Sequence, residues 1–364
     1  MMKSWTLSRY LGRQYMFWAA VFLIGLTGII FLFEVAELLR RSSNLPNTTL
    51  GIILRMGCYK MPNTIEQILP LVVLFAGMFT FWRLTRSQEL IVARASGVSA
   101  WQFLAPALIV TFLFGTLNVI VLNPIGAAMN ARYESMEARY LHRNASLELT
   151  GAGLWLRQSD ETKNYLLHAD HVEAVQPLTL APMIVFVYDE QQRYLGRIDA
   201  RRGVLKDSEW QISDAWFNQE DLAPEHQDTF VIPTALTLEK IQESMAPPNT
   251  ISFWKLPEFI HALRSIGLPP TRHELRFQAL LAQPFLLCAM VLFAAAFSLR
   301  LNRRGGILNA MMAGMFTGSL IFSLNNVVTA LGANQTLPVI MAAWAMPLMA
   351  LAGGHAVLLF LEDG

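Results

Sequence analysis

Cysteine, charge and nucleotide-binding glycine loops are all scarce in this chain. The two cysteines, Cys58 and Cys288, lie at or inside apolar segments, so no disulfide framework can be read and each is taken as a buried packing residue. Charged residues make up 15% of 364 positions, against about a quarter in an ordinary soluble domain. That shortage points to a membrane protein. The net charge of +1 gives no bulk electrostatic argument for nucleic acid or a polyacidic partner. No G-x-x-x-x-G-K-[ST] loop occurs, so the chain does not bind ATP in the Walker manner. No Ser/His/Asp set stands out. The nearest approach to a metal cluster is His168, Asp170, His171 and Glu173; on a strand these divide between two faces, and no face collects three ligands. The expectation is a chain with no catalytic centre, no metal and no cofactor of its own.

What is present is hydrophobicity, at 54% of residues. A helix needs about 20 mostly apolar residues to cross the hydrocarbon core. Six windows qualify: Tyr15 to Phe33, Met61 to Trp82, Phe103 to Leu122, Phe277 to Leu299, Ile307 to Ala330 and Leu337 to Leu361. The first is too long for a signal-peptide h-region and no small-residue cleavage site follows it, so it is expected to remain as a helix. Short-loop cations orient the spans. Lys3, Arg9 and Arg13, then Arg83, Arg86 and Arg94, then Arg300, Arg303 and Arg304 all fall on one side, which places both termini in the cytoplasm. Arg40, Arg41, Arg55 and Lys60 fall on the other side. His355, Asn325 and Asn326 are polar groups inside spans and read as contacts between helices.

Residues 123–276 are polar and strand-like. LWLRQ, NYLLHADHVEAV, MIVFVYDEQQRYLGRIDARRGVL and EWQISDAWF are rich in β-branched and aromatic residues and punctuated by Pro, Gly, Asp and Asn, which predicts an extracytoplasmic antiparallel β-sandwich or jelly-roll domain. An apolar inner face of that domain would include Trp155, Phe186 and Trp216. In SFWKLPEFIHALRSIGLPP, residues 252–270, the positions Leu256, Phe259, Ile260, Leu263 and Ile266 follow helical spacing, so an amphipathic helix over 252–267 leads back to the membrane. The domain plan is therefore 1–122 with three spans, 123–276 with the β domain, and 277–364 with three more spans.

Between spans two and three, residues 87–99 read SQELIVARASGVS. Glu89 to Ser96 are mostly helix-compatible and Gly97 stands where a C-terminal cap is expected. This predicts a short cytoplasmic helix with an apolar surface and charged margins, either lying on the lipid or docking a cytosolic protein. A transporter without a nucleotide site needs such a handle for an external motor.

The pattern S-x-E-L-x-V-x-x-A-S-G after span two, RYLGR at 9–13 before span one, and the three-plus-three spans around a β domain resemble the lipopolysaccharide-export permease family LptF/LptG over essentially the whole chain. GLWLR at 153–157 and the helix before span four resemble its LptG branch. The resemblance implies an α-helical integral membrane protein of six spans with an inserted periplasmic antiparallel jelly-roll domain, in the inner membrane of a Gram-negative bacterium. It implies an ABC-transporter permease that is not itself an enzyme. Its partners would be an LptF-like second permease, two LptB-like ATPase subunits carrying ATP and Mg²⁺, and an LptC-like periplasmic protein. Its cargo would be lipopolysaccharide, extracted from the inner membrane and passed to a periplasmic β-jelly-roll bridge. Residue by residue, it implies motor coupling through Glu89, Leu90, Ile91, Arg94 and Gly97, and head-group binding by Arg40, Arg41 and Arg132; Lys60 lies nearby and is added to that set without matching a family position. Glu34 stands where a lysine would strengthen that site, and Ser135 replaces another base. The alternatives are a membrane-anchored scaffold, a lipid-modifying protein, or a permease for a different envelope lipid.

Overall fold

The computed structural model describes residues 5–42, 49–89, 92, 97, 99–140, 147–150, 153–159, 163–175, 178–189, 191, 193–206, 209–218, 223–234, 247–265, 269–298 and 307–362. They form two compact units. One comprises 1–141, 252–254 and 271–364; the other comprises 142–251 and 255–270.

The first unit is helical. α1 spans Trp5–Ser42 and α2 Leu50–Arg86; α3 spans Ala100–Leu117 and passes through a π-turn, Asn118–Leu122, into α4, Asn123–Tyr140. Three more helices belong here, α6 at Thr271–Ser298, α7 at Ile307–Ala333 and α8 at Val339–Glu362. Six helical stretches are long and apolar enough to cross a membrane, and each overlaps one of the windows read from sequence. The third is longer than its apolar window, because the π-turn carries the helix past Leu122 instead of ending it, and the helix runs on into the more polar Asn123–Tyr140. The boundary of the inserted domain therefore falls near residue 141, not 123, and its far boundary at 270, not 276.

Span four, α6, is the axis of this unit: 72% of its most apolar window is buried, against 61% for span two, 11% for span five and none for span one. Small residues explain how α6 sits so deep. Ala289, Ala294, Ala295 and Ala296 are fully or almost fully buried, and a Cβ on Gly77 of α2 would stand 2.8 Å from that of Ala294. Such backbone proximity is the usual means of helix association where lipid supplies no hydrophobic contrast. Gly332 of α7 likewise leaves room only for the methyl of Ala342 in α8. Spans one and five leave many apolar side chains exposed, among them Ile24, Leu32, Phe33, Phe316 and Val327.

The second unit is one seven-stranded antiparallel sheet with its strands in sequence order. The strands are β1 Leu147–Thr150, β2 Gly153–Ser159, β3 Lys163–Val175, β4 Leu178–Asp189, β5 Tyr194–Lys206, β6 Glu209–Asn218 and β7 Glu225–Pro233. The inserted antiparallel domain is thus present, and its strands connect as an open meander. Alternation puts Leu156, Tyr165, Leu167, Met183, Val185, Val187, Ile198, Trp210, Ile212 and Ile232 on one buried face, as period-2 patterning requires. α5, Leu256–Ser265, joins that core through buried Leu263 and the partly buried Phe259. The amphipathic helix expected over 252–267 starts later than expected, after Lys255, whose carbonyl accepts from the Phe259 amide at 3.0 Å, and residues 266 and 267 lie outside the described residues.

Candidate functional site

The misplaced cations of the sequence gather at one corner. Buried Leu38 of α1, Ile53 and Met56 of α2 and Tyr133 of α4 pack together with Val35, Ile52, Tyr59 and Met136, and this apolar knot fixes the ends of three helices beside one another. Arg40 and Arg41 stand in the last turn of α1, where cations favour the helix dipole. Both arginines are engaged. The Glu37 carboxylate accepts from Arg40 Nε and Nη2 at 2.8 and 2.7 Å and from Arg41 Nε at 3.0 Å. Arg41 also reaches across to Glu137 of α4 at 3.3 Å. Lys60 is ion-paired to Glu34 and lies over the Tyr133 ring, 5.3 Å from its centroid. Arg132 is exposed, with its guanidinium 5.9 Å from the centre of Tyr59. Among the described residues, no carboxylate pairs with Arg132.

All four expected head-group residues are thus brought to one corner. The sequence reading named Glu34 at this site but did not pair it with Lys60. Glu37 could have been found, since it stands three and four positions before the arginines, the spacing at which helical charges meet. Glu137 and Tyr133 come from α4 and Tyr59 from α2, and none of them carries a signal local to the arginines.

Glu89, the first of the expected motor-coupling residues, is at the other end of α1, beside Tyr10. Glu89 is exposed, accepts from Ser87 Oγ at 2.9 Å and lies 3.5 Å from the hydroxyl of Tyr10. Leu90, Ile91 and Arg94 lie outside the described residues. Val92 is exposed, and its amide donates to the Gln88 carbonyl at 3.1 Å, an i to i−4 bond. Gly97 has φ +84°, a conformation that favours glycine. Ser99 then caps α3 by accepting from the Gln102 amide at 3.2 Å. From Tyr10 to Arg40 the helix rises about 45 Å, about the full thickness of a bilayer with its head groups. Two chemically distinct groups of side chains therefore stand at opposite ends of one helix that is long and apolar enough to cross a membrane.

A family model for "Lipopolysaccharide export system permease LptF/LptG" matches residues 9–361. The chain belongs to the LptF/LptG family. Among its relatives is the lipopolysaccharide export system permease protein LptG of Haemophilus influenzae, 21% identical over 350 residues, which cover 93% of this chain and 94% of that protein. Membership accounts for the six spans and the inserted sheet together, and it makes the protein a multi-pass permease of a lipopolysaccharide export system.

Trp155, Phe186 and Trp216 do not belong to the buried face of the sheet; they alternate with it, next to core residues Leu156, Val185, Val187 and Ala215. There Trp155 stacks on His168 at 4.2 Å and lies parallel to Phe186 at 6.4 Å, while Trp216 meets His226 at 4.7 Å. At the turn between β4 and β5, the Asp189 carboxylate accepts from the amides of Arg193 and Gln191 and from Arg193 Nε. These bonds, the Arg193 amide first, hold its pKa below the usual carboxylate range.

Sequence reading also missed a polar network inside the membrane unit. Glu66 of α2 accepts from Arg276 Nη2 of α6 at 2.8 Å and from Asn123 Nδ2 of α4 at 3.3 Å. Asn123 Oδ1 in turn accepts the Phe253 amide at 2.9 Å, and the indole of Trp254 donates to the carbonyl of Ile120 within the π-turn. The signal for Glu66 was available: an ionisable residue inside an apolar window marks a functional or structural pairing.

Proposed function

We propose that this chain is the membrane-spanning, non-catalytic subunit of an ATP-driven exporter that lifts lipopolysaccharide out of the inner membrane and passes it to a periplasmic β-jelly-roll bridge. The observation that carries this reading is the convergence of Arg40, Arg41, Lys60 and Arg132 at one corner of a permease of this family. Guanidinium groups bind phosphate through paired charge-assisted hydrogen bonds, and the phosphates of lipopolysaccharide are anions held at the membrane surface. In this reading the corner faces the periplasm, as does the β domain, and both termini face the cytoplasm.

Energy comes from outside the chain. A pair of LptB-like ATPases, holding ATP and Mg²⁺, docks on the segment from Glu89 to Gly97, with Glu89 making the ionic contact and Leu90, Ile91 and Arg94 filling the motor's groove. Spans one and five carry the most unburied apolar surface, which supports their use as the wall of a lipid cavity shared with an LptF-like second permease. An LptC-like protein completes the path at the periplasmic side. The acyl chains then pass along the β domain, where Trp155, Phe186 and Trp216 present an aromatic surface outside the packed core.

A permease for a lipid without phosphates has no use for the cationic corner. Charge reversal at Arg41 and Arg132 therefore decides between cargoes. The double variant Arg41→Glu/Arg132→Glu, purified from a lipopolysaccharide-producing membrane, is expected to retain less than a tenth of the lipopolysaccharide bound to the parent chain. Undiminished retention refutes the head-group assignment.

A further inference from the structure

The corner holds more carboxylate than a receptor for bare phosphate can use. Glu37 engages both Arg40 and Arg41, Glu137 engages Arg41, and Glu34 engages Lys60. Glu34 and Glu137 are only 16% and 17% exposed, so either would be costly to leave without a cation. A phosphate that draws Arg40 and Arg41 onto itself strips Glu37 of both guanidinium groups and leaves Glu137 only the hydroxyl of Tyr133. A purely anionic head group repeats that penalty and adds repulsion.

A head group carrying its own ammonium removes the penalty. The ammonium takes the vacated carboxylate while the phosphate takes the guanidinium groups. The aromatic surroundings favour the same ligand. The faces of Tyr59 and Tyr133 already attract cations, Arg132 at 5.9 Å and Lys60 at 5.3 Å, and a ring face beside carboxylates is a common setting for an alkylammonium. We propose that the Arg40–Arg41–Glu37–Glu137 corner recognises a phosphate capped by a primary amine, and that the cargo of this permease is a glycolipid whose phosphates carry such caps. The assignment rests on the export reading above and narrows its substrate class.

The same chemistry exists in a zwitterionic phospholipid, so the test separates the two sources. The full chain is placed in phosphatidylglycerol nanodiscs with equal amounts of a bisphosphorylated lipid A and the same lipid with aminoethyl-capped phosphates, and the bound species are counted by native mass spectrometry. Capping lowers the negative charge of the lipid, so cations alone favour the uncapped form. The corner instead retains the capped form in excess, by about tenfold for one added charge-assisted hydrogen bond. Glu37→Gln with Glu137→Gln abolishes or reverses that excess in a chain that still elutes as a single species.

Equal retention of the two lipids, or preference for the uncapped one, overturns the proposal and leaves the export reading standing. Retention of neither overturns both. Persistence of the capped glycolipid under excess phosphatidylethanolamine supports the cargo assignment; its displacement shows that the corner reads phospholipid and overturns that assignment.

Discussion

Replacing Arg276 by methionine isolates the energetics of the network that ties α2, α4 and α6. In the native chain Glu66 is 11% exposed and Arg276 23% exposed on their side chains, and their 2.8 Å contact is shared with Asn123. Removing the guanidinium leaves Glu66 with the Asn123 amide alone. Breaking a buried pair on one side costs about 3–5 kcal/mol, because the remaining charge has been desolvated without compensation. The surviving Asn123 bond offsets about 1 kcal/mol of that, so Arg276→Met should lose about 2–4 kcal/mol. Glu66→Met/Arg276→Met should recover most of the loss, since apolar replacement of both partners is often neutral. Thermal unfolding in detergent can be followed by maleimide labelling of buried Cys288 in a Cys58→Ser background. A fall in the labelling midpoint for the single variant, largely restored in the double, is the expected result. A single variant within experimental error of the parent, or a double variant worse than the single, refutes the account of Glu66 as a carboxylate dependent on Arg276.

Two other outcomes follow from the geometry. Glu89→Lys reverses the exposed charge beside Ser87 and Tyr10; it should abolish lipid-stimulated ATPase turnover in the assembled transporter while membrane insertion, read by protease accessibility, stays intact. Asp189 has a folded pKa held below its unfolded value by the Arg193 and Gln191 amides and the Arg193 side chain. Its stabilisation is therefore fully present above about pH 4 and is lost as pH falls towards the depressed folded value. The midpoint difference between the full chain and Asp189→Asn should hold from pH 7 to about pH 4 and close below it; a difference that grows on acidification contradicts the assignment.

The spans were legible because a 20-residue apolar run has few other readings, and all six windows fall on observed helices. Strands β2 to β6 were legible for a similar reason, as each carries β-branched and aromatic runs between turn residues. β7 was not, because EHQDTFVIP opens with five polar or charged residues and takes its place in the sheet through pairing with β6. The length of span three was hidden by the π-turn, whose residues Asn118–Leu122 look like the end of an apolar run and in fact continue the helix. Face assignment in the sheet failed at Trp155, Phe186 and Trp216 because register, which depends on partners, decides which of two apolar alternations is buried. At the cationic corner the sequence showed the charges that a family resemblance singles out. The carboxylates that hold Arg41 and Lys60 come from Glu137 and Glu34, distant in sequence and joined only by the packing of Leu38, Met56 and Tyr133.

The most direct test of the export account is to purify the tagged chain in mild detergent from its native membrane and identify what accompanies it by mass spectrometry. The account predicts an ATPase, a second six-span permease and lipopolysaccharide in the same particle. Recovery of the chain alone, or as a homodimer without any ATPase, contradicts it.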